Sequence, residues 1–125
     1  MKRTTFWGND ESDERLVFQI IDGVKTATCT SKCWYDALPE EITDVGETIE
    51  VYSKKGQFMC RIQINEKYEV PFGEIDEQTV KGENSSSYED FRKSHVYAWE
   101  EGLKKEGHEL NDETIIVVEH FRLVK

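Results

Sequence analysis

At 125 residues the chain has room for one hydrophobic core and little left for a second; 34% of it is charged, with a formal net charge of -10. The acidic clusters, at residues 10–14, 40–41 and 100–101, are spread along the chain and describe a solvated surface rather than a charged tail. Such a surface repels phosphate backbones and no basic stripe offsets it, so DNA is not an expected partner and a small ligand is favoured over a long polyanion.

In chain order, residues 11–22 carry Leu16, Val17, Ile20 and Ile21 at helical spacing after an acidic first turn, and Gly23 supplies a C-terminal stop. Residues 25–30 follow, where Thr26, Thr28 and Thr30 alternate with Ala27 and Cys29, a β-branched period of two that predicts a strand. Residues 47–52 and 57–70 alternate Ile49, Val51, Phe58, Cys60, Ile62, Ile64 and Val70 with polar residues across a tight turn at 53–56, which predicts a hairpin. Residues 71–80 shorten this pattern to Phe72, Ile75 and Val80, as expected of a loop with one helical turn.

Ser86 followed by Glu89 predicts a capping box, after which Tyr88, Phe91, His95, Val96, Trp99 and Leu103 recur at helical spacing until Gly107. A β-branched run over 114–124 predicts a closing strand, with Glu119 and His120 on its solvated face. Two main helices among about five mostly sequential strands imply a single α+β domain over 1–125, built on a small, mostly antiparallel barrel. Three Trp, five Tyr and six Phe give so small a core bulky side chains to pack.

Cys29, Cys33 and Cys60 are odd in number and no secretory apolar segment precedes them, which predicts free thiols in a reducing cytoplasm. No run approaches the length of a membrane span. Cys29 and Cys33 share a CxxxC spacing, but His95, His108 and His120 are too distant in sequence to complete a zinc pattern, so neither metal nor cofactor is expected.

The segment Asp22-Gly23-Val24-Lys25-Thr26-Ala27-Thr28 resembles the signature of the ASCH family, in which a helix ends in glycine and a Lys-Thr-x-Thr strand begins. Other family-like pieces surround it in order: Phe6-Trp7-Gly8-Asn9-Asp10, similar to the opening of the family's longer branch, then Gly46-Glu47 and Pro71-Phe72-Gly73-Glu74-Ile75. Gly82-Glu83-Asn84 and Phe91-Arg92-Lys93-Ser94-His95 follow, so the resemblance runs from Phe6 to Phe121-Arg122-Leu123. It implies a PUA-like β-barrel and a pocket between barrel and helices that handles a nucleoside or an RNA-derived group.

In the branch of that family that deacetylates N4-acetylcytidine, the catalytic set is a Lys and a Thr from the motif strand and a Glu before the second helix. By motif these are Lys25, Thr28 and Glu83. An amide is a poor electrophile, so its cleavage needs an activated nucleophile, a proton for the departing amine and a stabilised oxyanion. In one scheme Thr28 attacks, a neutral Lys25 takes its proton and Glu83 orients Lys25 or shuttles the proton; in the other Thr28 only hydrogen-bonds the substrate and Glu83 activates water. Residues three apart on a regular strand face opposite sides, so Lys25 and Thr28 converge only if the strand's start is turned or bulged. Read without the family, Lys25 is a solvated residue at a strand start and the threonines are a β-forming stripe.

Thr26 belongs to the same motif as a substrate contact. Trp7 and Trp34, with Tyr35, are placed either to stack a base or to pack the core. Arg92 and His95 are three apart on one helical face, which suits them to an anionic or carbonyl group, while His95 also lies in the apolar stripe with Phe91 and Trp99. Two other functions compete with an amidohydrolase acting on a modified nucleoside. One is a non-catalytic module binding short RNA through a patch of Lys25, Lys32, Lys54, Lys55 and Arg92. The other is a ribonuclease enlisting Lys25, Ser31 and Tyr35.

Overall fold

The computed structural model describes residues 2–5, 15–37, 39, 42–53 and 55–124. Along the chain run β1 (Lys2–Thr5), α1 (Arg15–Ile21), β2 (Ala27–Ser31), α2 (Lys32–Ala37), β3 (Thr48–Tyr52) and β4 (Phe58–Pro71). A 3-10 turn (Phe72–Glu74), α3 (Glu77–Gly82), α4 (Tyr88–Lys105) and β5 (Ile115–Val124) complete it. Among the described residues the strands form one sheet in the order β1-β3-β4-β5-β2, antiparallel throughout except for the parallel pair β1 and β3. The fold is the expected α+β one, and among the described residues the sheet is not closed: β1 and β2 are its two edges.

Local chemistry explains most boundaries. Gly23 adopts φ +80° after α1, where its amide and that of Asp22 return to the helix's last carbonyls. The hairpin of β3 and β4 closes through Ser53 and Gln57, with Gly56 at φ +90°. The cap of α4 lies one residue beyond the predicted box: Ser87, not Ser86, accepts from the Asp90 amide at 3.1 Å, so Asp90 replaces Glu89 in the first turn's role. Asp76 caps α3 by accepting from the Thr79 amide at 2.7 Å. The short helix α2 and the parallel strand β1 carry no strong periodic signal and were not anticipated from sequence.

The apolar alternation in β4 reads as one face but serves two. A register shift between Ile64 and Glu66 inserts one extra residue, so side chains after it change sides relative to β5. Cys60, Ile62 and Ile64 pack with Val17, Ile20, Ile49, Val51 and Phe121 in one cluster. Tyr68 and Val70, beyond the bulge, pack instead with Cys29, Phe72, Ile75, Val80, Phe91, Ile116 and Val118 beneath α3 and α4. The strand β5 lies between β4 and β2 with cover on both faces, which corrects the reading of Glu119 and His120 as solvated: they are 8% and 6% exposed.

Candidate functional site

The start of β2 is tied down at three points. The amides of Val24 and Lys25 both reach the Gln19 carbonyl at the end of α1, and the Thr26 amide bonds the Gly82 carbonyl at 2.7 Å. Gly82 permits this approach, because a Cβ there would stand 2.7 Å from the Ala27 Cβ. The consequence is that Lys25, 3% exposed, forms an ion pair with Oε1 of Glu83, whose side chain is 9% exposed. Lys25 Nζ also donates to the Ala27 carbonyl at 2.8 Å.

The second oxygen of Glu83 faces Nε2 of His95 at 2.9 Å. The imidazole is held in place by the Phe91 carbonyl at its Nδ1, 2.8 Å away, by stacking on the Phe91 ring at 4.0 Å between centroids, and by the edge of Trp99. Burial pushes the Glu83 carboxyl upward, but the Lys25 charge and the His95 hydrogen bond outweigh it and hold it down at about 2. Cys29 faces the same carboxylate, and burial followed by that negative charge pushes its thiol well above the ordinary range, which makes it inert.

Thr28 is not part of this cluster. Lys25, Ala27, Cys29 and Ser31 lie on the helix side of β2, whereas Thr28 and Thr30 alternate to the opposite side, and no bulge at the strand's start brings Thr28 round. Thr26 is exposed at the sheet's edge, its hydroxyl beside Gly82. Trp34 packs edge-on against Trp99 at 6.3 Å and donates Nε1 to the Glu106 carboxylate, pinning α2 to the end of α4 rather than lining the Glu83 cluster. Arg92 and His95 diverge: the guanidinium bonds Asp112 at 2.6 Å and the Tyr88 hydroxyl at 3.0 Å and lies over the Phe72 ring. Trp7 lies outside the described residues.

Several residues suggested for the competing functions are engaged elsewhere, while Lys55, also suggested for an RNA patch, is exposed. Of the cations suggested for an RNA patch, Lys25 is buried, Lys32 is paired with Asp36 and Glu69, and Arg92 is paired with Asp112; Lys54 lies outside the described residues. Ser31 is buried against Cys33, while Tyr35 turns to Thr43 and Glu119, so neither meets Lys25. Among the described residues no group of three His, Cys, Asp or Glu side chains is arranged to hold a metal ion, and no helix is long and apolar enough to cross a membrane.

Two polar clusters went unread in the sequence. On the helix side, the Tyr68 hydroxyl donates to the Asp76 carboxylate and meets Thr79 Oγ1 and His120 Nε2, each at 2.9 Å. Burial and the Asp76 carboxylate push the Tyr68 phenol up to about 12. On the other face, Glu119 accepts from the hydroxyls of Thr43 and Tyr35, and Lys67 donates to the Thr43 carbonyl at 2.8 Å. The available signal was a pair of polar residues inside an otherwise apolar β-branched run at 115–121.

An open, mainly antiparallel sheet with a buried lysine and carboxylate where its edge strand meets two helices makes this an α+β domain, in keeping with the PUA-like fold that the family resemblance implies. The sequence model of the ASCH domain matches residues 2–125, and the chain belongs to that family. No curated protein matches the sequence. Among solved structures, protein EF3133 from Enterococcus faecalis V583 is similar with a TM-score of 0.85 at 19% identity, over 99% of this chain and 76% of that one. The ASCH domain from Lactobacillus crispatus JV V101 is similar with a TM-score of 0.81 at 21% identity, over 98% of this chain and 79% of that one. Hypothetical protein PH0355 follows at 0.64 and 15%, over 99% and 100%. At these identities the likeness is one of fold.

Proposed function

We propose that this chain binds a modified nucleoside and hydrolyses an acyl amide on it, with N4-acetylcytidine as the type substrate. The observation that supports the reading most is the contact between Lys25 and Glu83, charged residues of two motif segments 58 positions apart that meet out of water. Desolvating two charges costs several kcal/mol each, and strongly displaced carboxyls in such settings concentrate at functional sites. The acidic surface agrees with a neutral nucleoside better than with a polyanion.

The roles within the motif separate along the two faces of β2. Glu83, held at about 2, is ionised at neutral pH and too weak a base to activate water alone. In this reading Lys25, Glu83 and His95 are positioning residues that lock the start of β2 against α3 and α4. Thr28, half-buried on the other face, meets the acyl group.

The test is incubation of the purified protein with N4-acetylcytidine, following loss of the acetylated chromophore and release of cytidine, beside Thr28→Val and Glu83→Gln. The expected result is turnover by the wild type that Thr28→Val abolishes without change in folding. Absence of turnover with nucleoside binding retained would sink the hydrolase and leave a binding module.

A further inference from the structure

The register of the sheet lines up three side chains that local sequence keeps far apart. Lys67 on β4 stands opposite Glu119 on β5, and Glu119 stands opposite Thr28 on β2, all on the face away from α3 and α4. Glu119 is 8% exposed, and its Oε2 is occupied by the Thr43 hydroxyl and, at 3.3 Å, the Tyr35 hydroxyl. Its Oε1 accepts no hydrogen bond among the described residues.

The Thr28 hydroxyl likewise makes no hydrogen bond among the described residues, and the residue is only half-buried. The Phe121 amide bonds the Thr26 carbonyl at 2.9 Å, which makes Thr28 and Glu119, one step further along both strands in the alternating pattern, a hydrogen-bonded pair about 5.5 Å apart at Cα. At that separation the two side chains are neighbours on one face of the sheet. Lys67, 4.9 Å above the Tyr35 ring, adds a positive charge beside the carboxylate. A buried carboxylate whose one oxygen is held by two hydroxyls is fixed in orientation beside Thr28, and its other oxygen has no partner among the described residues.

We propose that Glu119 is the general base of Thr28, an assignment that rests on the hydrolase reading above. Thr28 Oγ bonds the acyl carbon while its proton passes to Glu119 Oε1. The carbon–nitrogen bond then breaks and Glu119 returns the proton to the departing amine. Water attacks the acyl-threonine with Glu119 taking its proton, the carbon–Oγ bond breaks, and the proton goes back to Oγ as the carboxylic acid leaves.

The test compares wild type, Glu119→Gln and Glu119→Asp on N4-acetylcytidine, with kcat, KM and thermal melts. Loss of general-base catalysis lowers kcat of Glu119→Gln by about 100-fold or more. KM stays within about threefold, and Glu119→Asp, which keeps the carboxylate but shortens its reach, recovers part of the loss. Glu119→Asp also decides the matter if Glu119→Gln fails to fold, because a folded Glu119→Asp with the kcat of the wild type overturns the assignment. Glu119→Gln turning over within threefold of wild type overturns it while leaving the hydrolase standing; a wild type without turnover overturns both.

Discussion

Replacing Glu83 by Gln keeps the shape of the side chain but removes the charge that faces Lys25, and the structure sets the scale of the loss. Lys25 is 3% exposed, so its charge is largely kept from water, and removing the opposite charge of a buried pair costs about 3–5 kcal/mol. The Gln oxygen still accepts from His95, and Lys25 keeps its bond to the Ala27 carbonyl, which puts the expected cost of Glu83→Gln near the lower end, about 3 kcal/mol. Lys25→Met strands the carboxylate instead and costs a similar amount. The double variant buries neither charge, so its cost falls about 2–3 kcal/mol short of the sum of the singles, a coupling outside the range of independent sites. Urea unfolding followed by far-UV circular dichroism at pH 7 on the four proteins measures it. Additivity within about 0.5 kcal/mol would refute the reasoning, since it would mean that the two charges do not depend on each other.

The same carboxylate makes stability pH-dependent. Its ordinary value is 4.5 and it is held at about 2 in the fold, so its contribution is whole above about pH 4.5 and is lost as the pH falls toward 2; Glu83→Gln flattens that part of the unfolding profile. Gly82→Ala drives a Cβ to within 2.7 Å of the Ala27 Cβ and should cost about 1–3 kcal/mol, part of it recovered when Ala27→Gly is added, as read by thermal melts. Tyr68→Phe leaves Asp76, Thr79 and His120 without their shared hydroxyl and should cost about 1–3 kcal/mol in urea unfolding.

Much of the fold was legible because its signals are local. Gly23 stopped α1, Gly107 at φ +81° stopped α4, the period of two marked β2, β3 and β4, and a β-branched run marked β5. The cap of α4 was misplaced by one residue because three consecutive serines, Ser85, Ser86 and Ser87, offer equivalent hydroxyls, and only the entry angle of the chain selects one. Period alone also foretold that Lys25 and Thr28 oppose each other on a regular strand, and the strand is regular.

By itself the sequence determined the acidic surface, the order of helices and strands, and the motif segments carrying Lys25, Thr28 and Glu83, since composition, capping and periodicity are properties of neighbouring residues. Only the tertiary structure decided that β4 switches faces at its bulge, that Glu83 meets Lys25 and His95, and that Glu119 and His120 are buried on opposite sides of β5. Each of these depends on which distant strand lies alongside which, and that pairing order, β1-β3-β4-β5-β2, is set by burying two cores at once rather than by any local preference.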